Sequence, residues 1–175
     1  MARTVDFQGK PLALAGRAPA IGALAPSFTV TAQDMRDVTL GDSKGKVRLI
    51  STFPSLDTPV CDLQVKEFNK RAAGLSADVA VIGISKDLPF AQKRFCGENG
   101  IKNETVLSDY KKSSFGKGYG LLIEGLELLA RAVLIIDKDD ILRYMQVVPE
   151  LTTPPDYDAA LKTLDQVVRL AAQKR

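Results

Sequence analysis

The two cysteines of this 175-residue sequence, Cys61 and Cys96, are its candidate reactive side chains. Thr58 and Pro59 precede Cys61, and a threonine followed by a proline is typical of the N-cap and first position of a helix. Cys61 would then occupy the third helical position, where unpaired backbone N–H groups and the positive end of the helix dipole favour a thiolate. Because the thiolate is the nucleophilic form of cysteine, this placement predicts a reactive sulfur.

An acid follows the candidate nucleophile, so a nearby cation is needed to complete its activation. Asp62 places a negative charge beside Cys61, which disfavours the thiolate. The sequence contains no histidine, and the expected cation is therefore a lysine or an arginine. The same absence excludes a Ser-His-Asp or Cys-His nucleophile and a four-ligand zinc site of the common Cys/His kinds. We expect neither a metal nor an organic cofactor.

Cys96 is predicted to lie in the opposite environment, at the last turn of a helix. Unpaired carbonyl groups and the negative end of the helix dipole disfavour a thiolate there. One activated and one unactivated cysteine suit a two-step chemistry, in which a sulfenic acid on the first condenses with the second to give a disulfide. The competing hypothesis is that both cysteines are structural, because free cysteine is among the most buried residue types.

The segments around the cysteines must form the elements that position them. The apolar run "VRLISTF" predicts a buried strand before Cys61, and helical spacing of apolar residues begins at Thr58. The run "VAVIGIS" is typical of a central strand covered on both faces. A second helix over "LPFAQKRFC", closed by Gly97, and a strand at "ETVLSD" follow. Strands and helices therefore alternate through this part of the chain.

The flanking segments predict the rest of a mixed α/β fold. The pattern of "TVDFQGKPLAL" indicates an N-terminal β-hairpin, and "SFTVTA" and "DVTL" indicate two short strands. We interpret "KKSSFGKGYGLL" as a short helix and loop, and "RAVLIID" with "ILRYMQVV" as an antiparallel hairpin. Pro155 and Asp156 are suited to begin a final helix. Residues 1–175 are thus predicted to form one domain, an α/β sandwich with a mixed sheet and helices on both faces.

Composition and charge narrow the classes of partner. A hydrophobic content of 45% with 26% charged residues is that of an ordinary soluble globular protein. The net charge of +3 is small and its charges are interspersed, which argues against nucleic acid. No apolar run reaches the roughly 18 residues that a membrane span needs. The apolar segment near the N-terminus is split by Arg17 and fits a signal peptide poorly, so a cytoplasmic location is expected.

The stretch "FPSLDTPVC" resembles the signature of the thiol peroxidase branch of the peroxiredoxins. Pro54, Thr58 and Cys61 match that signature at its spacing of proline, three residues, threonine, two residues and cysteine. The resemblance extends over essentially the whole chain. Its further segments, in order, are "TVDFQGKPLAL", "APSFTV", "DLPFAQKRFCGENG", "ARAVLIID" and "TTPPDY".

This resemblance implies a thioredoxin-like fold with an added N-terminal hairpin, and the cycle of an atypical two-cysteine peroxiredoxin. Cys61 would be the peroxidatic residue and Cys96 the resolving one, joined in an intramolecular disulfide that a thioredoxin-like dithiol reduces. Thr58 would direct its hydroxyl at the sulfur or the peroxide, Pro54 would shield the site from water, and Arg131 would supply the cation. The substrates implied are hydrogen peroxide and organic hydroperoxides, and a homodimer is expected.

Two alternative functions and the roles of two residues remain open from the sequence. A thioredoxin-type disulfide oxidoreductase would share the fold, but it carries Cys-x-x-Cys, whereas Thr58 stands at the first of those positions. A non-catalytic module with two buried thiols is the other alternative. Without the family, Arg131 is only a charge at the start of an apolar strand, and Thr58 could serve either as a helix cap or as a partner of the sulfur.

Overall fold

The computed structural model describes residues 3–174, in which eleven strands form two sheets. The strands, in chain order, are β1 (Thr4–Phe7), β2 (Lys10–Ala15), β3 (Thr29–Thr31), β4 (Asp37–Thr39), β5 (Val47–Thr52), β6 (Val79–Ser85), β7 (Thr105–Ser108), β8 (Leu122–Ile123), β9 (Leu128–Leu129), β10 (Ala132–Ile136) and β11 (Leu142–Val147). The strands predicted from sequence patterns are all present. The short strands β8 and β9 were not predicted as such, because two residues are too few to show an alternating pattern.

The helices are α1 (Pro59–Ala72), α2 (Pro89–Asn99), α3 (Ser114–Gly118) and α4 (Tyr157–Gln173), with a 3₁₀ turn at Leu40–Ser43. Helices α1 and α4 begin at the residues that the sequence predicts as their starts. Proline starts both α1 and α2, and the carboxylate of Asp156 caps α4 by accepting the Ala159 N–H at 2.9 Å. The predicted end of α2 at Gly97 is wrong. The helix continues to Asn99 and ends at Gly100, whose φ of 63° is the left-handed conformation that glycine adopts most readily.

The main sheet is mixed and has the strand order β11-β10-β5-β6-β7-β3-β4. Strands β5, β6 and β7 are parallel, with α1 and α2 as the crossovers between them, and the remaining pairs are antiparallel. The N-terminal hairpin is present as predicted, but it does not stand alone. It continues into a second antiparallel sheet with the order β1-β2-β8-β9.

The main sheet is covered on both faces, as predicted. On one face α1 and α4 bury Phe68 and Leu164 against β5 and β10, and α2 packs on β7. On the other face α3 and the N-terminal sheet bury Phe115 and Val5 against strand residues such as Ile50. Within residues 3–174 no helix has the length and apolar composition of a membrane-spanning segment.

A smaller apolar cluster lies between α1 and α2 and contains both cysteines. Its buried members are Phe53, Leu56, Cys61, Val65, Cys96 and Val106. Cys61 lies in the first turn of α1, whereas Cys96 lies near the end of α2. The fold therefore places in one cluster two thiols that are 35 positions apart in the sequence.

Candidate active site

The loop between β5 and α1 is anchored to the end of β6 by one carboxylate, that of Asp87. Its oxygens accept hydrogen bonds from Ser55 Oγ at 2.8 Å and from the Leu56 N–H at 2.9 Å. Asp87 also accepts from Ser85 Oγ at 2.6 Å. This loop leads directly to the first turn of α1, so Asp87 holds the approach to Cys61 in one conformation.

Cys61 is fully buried and touches two of the residues named from the sequence. Its Sγ lies 2.7 Å from Thr58 Oγ1 and 3.4 Å from Arg131 Nη2. Thr58 has the extended backbone of an N-cap residue, but its side chain makes no capping hydrogen bond to the helix. The structure therefore directs the Thr58 hydroxyl at the sulfur and away from the backbone N–H groups of α1.

The Thr58 hydroxyl can serve either protonation state of the sulfur. Besides Cys61 Sγ, it lies 3.0 Å from the carbonyl oxygen of Ser55. When Cys61 is a thiol, its S–H can donate to Thr58 while Thr58 donates to Ser55. When Cys61 is a thiolate, the hydroxyl proton can turn to the sulfur, because a hydroxyl is both donor and acceptor.

Arg131 brings a positive charge to the sulfur from just before β10. It is 2% exposed, and its Nη2 and Nε donate to the Leu151 carbonyl oxygen at 2.7 and 3.2 Å. It forms no ion pair with a carboxylate anywhere in the described part of the chain. A buried cation without an anion is unfavourable, and the Cys61 sulfur, 3.4 Å from Nη2, is a neighbouring group that can carry a negative charge.

Gln64 is a site residue that the sequence patterns did not identify. Its side chain is fully buried, and its Oε1 accepts from Arg131 Nη1 at 2.7 Å. Its amide nitrogen donates to the Thr52 carbonyl oxygen at 3.1 Å and so fixes the orientation of the amide. The available signal was its position three residues after Cys61, which places a polar side chain on the inward face of α1. Gln64 thus holds the guanidinium against the sulfur.

Pro54 is partly buried and lines the entrance to the site. It lines a cavity of about 470 Å³ together with Thr58 and Arg131, the two residues that touch Cys61. The remaining wall is mainly apolar and includes Phe7 of the N-terminal hairpin and Leu151. The cavity therefore leads from the surface to the two side chains that cover the buried sulfur.

Cys96 lies in a different environment at the far end of the same apolar cluster. It is 8% exposed, and the Gln33 amide nitrogen donates to its Sγ at 3.4 Å. Burial raises the pKa of the Cys96 thiol, and the nearby Glu104 adds to that rise. The pKa of Cys96 is thus raised, as its position predicts, but the main cause is burial and not the end of the helix. The Cys96 carbonyl accepts the Gly100 and Ile101 N–H groups, so it is not unpaired.

The two sulfurs are free thiols in this structure. Within residues 3–174 no cluster of three or more histidine, cysteine, aspartate or glutamate side chains could hold a metal ion. The site brings together a thiol, a hydroxyl and a guanidinium. This fold and this site define a thioredoxin-like thiol enzyme.

Comparison with known proteins identifies the family. The family model described as Redoxin matches residues 20–161. The thiol peroxidase of Halalkalibacterium halodurans is 50% identical over 159 residues, which are 91% of this chain and 95% of that protein. The thiol peroxidase of Staphylococcus aureus is 47% identical over 157 residues, 90% of this chain and 94% of that protein. The chain belongs to the Redoxin family and, within it, to the thiol peroxidase branch of the peroxiredoxins.

A solved structure agrees with this assignment. The crystal structure of a peroxiredoxin-like protein from Aquifex aeolicus superposes with a TM-score of 0.89 at 44% identity. The match covers 95% of this chain and 98% of the other. The predicted thioredoxin-like fold with an N-terminal hairpin is thereby confirmed, and the thioredoxin-type oxidoreductase and the non-catalytic module are the less supported hypotheses.

Proposed function

We propose that this thiol-dependent peroxidase reduces hydrogen peroxide and organic hydroperoxides through a sulfenic acid on Cys61. One observation carries the assignment of Cys61 as the peroxidatic residue. The guanidinium of Arg131 is buried, lacks a carboxylate partner among the described residues and lies 3.4 Å from the Cys61 sulfur. Such a cation stabilises a thiolate, which is the form of cysteine that attacks peroxides.

In the first step, the Cys61 thiolate attacks the terminal oxygen of R–O–OH and the O–O bond breaks. The sulfur becomes S–OH, and the leaving RO⁻ takes a proton to give an alcohol, or water when the substrate is hydrogen peroxide. Arg131 and Thr58 donate hydrogen bonds to the reacting oxygens and stabilise the negative charge that develops on the leaving oxygen. Because Thr58 and Arg131 also line the cavity, peroxide entering there meets both donors.

In the second step, the Cys96 thiol attacks the Cys61 sulfenic acid, forms the disulfide and releases water. Cys96 is buried in the last turn of α2, and we infer that this end of the helix opens so that the two sulfurs come within bonding distance. A thioredoxin-like dithiol then reduces the disulfide by exchange, which restores both thiols and leaves the dithiol oxidised.

The walls of the cavity support organic hydroperoxides as substrates. Phe7, Leu126, Leu128 and Leu151 line it, and these side chains can contact an alkyl or aryl group while the O–OH end faces Arg131. We expect cumene hydroperoxide to give a lower KM than hydrogen peroxide. Replacing Leu128 by asparagine should remove that difference while leaving the reaction of hydrogen peroxide nearly unchanged.

Mass spectrometry after one equivalent of peroxide tests the proposed cycle. The expected product is a single species two mass units lighter than the dithiol, with a peptide map that joins Cys61 to Cys96. Recovery of Cys96 as a free thiol together with oxidised Cys61 would contradict the assignment of the resolving residue. Turnover of insulin at a rate comparable to peroxide consumption would instead favour a disulfide oxidoreductase.

Two further proposals concern assembly and location. Exposed apolar side chains lie near the starts of α1 and α2, namely Leu63, Leu88 and Phe90, and they support a homodimer that covers them. Sedimentation equilibrium of the wild-type protein and a Phe90→Glu variant tests it, with the variant expected to be a monomer. We place the protein in the cytoplasm, because a reducing compartment supplies thioredoxin-like dithiols, and cell fractionation checks this.

A further inference from the structure

Glu104 is a buried carboxyl group that the mechanism above does not use. It directly precedes β7 and is 5% exposed, yet neither of its carboxyl oxygens has a hydrogen-bond partner among the described residues. Its Oε1 lies 2.6 Å from the point that a β-carbon on Gly83 would occupy, and the Phe53 ring lies 3.4 Å from the same point. The carboxyl is therefore packed on the backbone of β6, where the missing side chain of Gly83 makes room for it.

The other buried carboxyl groups of the chain show how unusual this is. Asp109 accepts the Phe115 and Gly116 N–H groups at 3.0 and 2.8 Å. Asp137 pairs with Arg143 at 2.6 Å. Within the described part of the chain Glu104 has neither a donor nor a cation, and burial raises the pKa of its carboxyl well above the usual value. It is thus held in its neutral form over a pH range in which an exposed glutamate is ionised.

The end of α2 and the segment that follows it line one pocket with this carboxyl. Glu104 lines a pocket of about 360 Å³ with Cys96 and with Ile101, whose N–H donates to the Cys96 carbonyl. The other titratable group facing the pocket is Asp34, which is exposed and lies 3.8 Å from Arg36. β6 contributes Gly83 and the end of β5 contributes Phe53, neither of them charged. Among residues 3–174, no lysine or arginine lines the pocket.

We propose that Glu104 is a positioning residue for the resolving step, because its release into water drives the opening of the end of α2. This proposal rests on the function proposed above, in which Cys96 must leave its buried site to reach Cys61. In the closed form Glu104 is neutral and shielded by the Cys96 turn. When that turn unwinds, the carboxyl is hydrated and loses its proton to solvent, so closing must reverse both steps.

Proton linkage fixes the direction of the effect. The pKa of Glu104 is raised in the closed form and returns towards its ordinary value in the open form. The closed form is therefore most stable relative to the open form below about pH 4.5. Its stability decreases as the pH rises from there to the pKa that Glu104 has in the closed form. Over that window the opening constant increases by up to about tenfold per pH unit. Cys96, whose thiol pKa is also raised, adds a second increase only above about pH 9.

Native-state hydrogen exchange of the reduced full-length protein, without any peroxide, tests this linkage. The informative amides are those of Gly100 and Ile101, which donate to the Cys96 carbonyl. Between pH 5 and 8, after correction for intrinsic exchange, their protection in the wild type should fall by up to tenfold per unit over part of the range. In Glu104→Gln the protection of these two amides should not change with pH. In the control Asp34→Asn it should fall with pH as in the wild type.

Equal pH slopes in the wild type and in Glu104→Gln would overturn the proposal. Because no peroxide is used, a failure here is distinct from a failure of the peroxidase cycle. If the glutamine variant does not fold, Glu104→Val supplies the same comparison with an apolar side chain. Its resolving step, timed after the sulfenic acid has formed, should be about tenfold slower at pH 7.5, and its rate should rise less steeply with pH than that of the wild type, because only ionisation of Cys96 remains. A wild-type rate and pH profile in Glu104→Val would equally overturn the role of Glu104.

Discussion

The environments of Cys61 and Cys96 differ although both thiols are buried in one apolar cluster. Cys61 touches a hydroxyl and a guanidinium, and its helix begins two residues earlier. Cys96 touches an uncharged amide and lies near a buried carboxyl group, and burial raises its pKa. Burial therefore does not distinguish the two sulfurs. The difference comes from the partners of each sulfur, of which Thr58 is local in the sequence and Arg131 and Gln33 are distant.

The two buried arginines, Arg48 and Arg131, also differ in their partners and not in their burial. Arg48 is fully buried and pairs with Asp140 at 2.6 Å, so its charge is already matched. Arg131 is also deeply buried. Within residues 3–174 its partners are the Cys61 sulfur and the uncharged oxygens of Leu151 and Gln64. A buried cation that is matched stabilises structure, whereas the unmatched one is available to stabilise a thiolate and a transition state.

Replacing each cysteine by serine should have the largest effect on peroxide reduction, and the effect should differ between the two positions. Cys61→Ser should abolish peroxide reduction, because a serine hydroxyl at this position is a far weaker nucleophile than a thiolate. Cys96→Ser should consume about one equivalent of peroxide and then stop, because the sulfenic acid has no partner. Peroxide consumption in the first turnover, followed by quenched flow, separates the two outcomes. Loss of that first equivalent in both variants would contradict the assigned roles.

Removing the charge of Arg131 should have the next largest effect, on the rate at which Cys61 forms a sulfenic acid. Arg131→Met keeps much of the side-chain volume but removes the donors to Cys61, and we expect sulfenic acid formation to slow by about 10²–10³-fold. Arg131→Lys is the matched control, since it keeps the charge and loses the forked contact with Leu151. Its rate should fall between those of the wild type and Arg131→Met. A first-turnover rate for Arg131→Met equal to that of the wild type would exclude Arg131 from the site.

The Thr58 hydroxyl should contribute less than the guanidinium. Thr58→Val preserves the shape of the side chain but removes the group that lies 2.7 Å from the sulfur. A hydrogen bond to a charged group contributes about 1.5–3 kcal/mol, so we expect the first step to slow by roughly ten- to a hundredfold. Thr58→Ser keeps the hydroxyl and should react within about threefold of the wild type. Equal slowing in both variants would indicate that the methyl group, not the hydroxyl, matters.

The sequence predicts those parts of the site that depend on neighbours along the chain. The Thr58–Pro59 pair marks the start of α1, and that start alone places Cys61 at the third helical position. Segments rich in apolar and β-branched residues likewise predict the buried strands β5, β6 and β10. The end of α2 was misplaced because Gly97 and Gly100 are equally good stop signals in the sequence. Only Gly100 has the left-handed conformation that ends the helix.

Long-range partners are the part that sequence patterns do not reveal. Arg131 is 70 positions from Cys61, and only the family resemblance singles it out among the lysines and arginines of the sequence. Gln64 is close in sequence, but its role depends on the approach of Arg131 from another strand. Glu104 has an ordinary polar neighbourhood in the sequence, and only the packing of β6 and α2 buries it. Such contacts depend on strand order, which local periodicity does not determine.

Two glycines of α2 should give small effects of opposite sign on the resolving step. Gly97 lies within the helix, and an added β-carbon there would meet no atom of the described residues within 4 Å. Gly97→Ala should therefore stabilise the helix by about 0.5–1 kcal/mol and slow disulfide formation by roughly two- to fivefold. Gly100 has a φ of 63°, so Gly100→Ala should strain the cap, ease opening and speed the same step by a similar factor.

This glycine pair tests whether opening of α2 limits the rate at which Cys96 reaches Cys61. The informative measurement is the rate of disulfide formation after the sulfenic acid has formed, with hydrogen exchange at Ile101 reporting opening in parallel. If opening is limiting, both quantities should move together and in opposite directions for the two variants. A change in exchange without a change in rate would place the slow step after opening, in the attack of the Cys96 thiol itself.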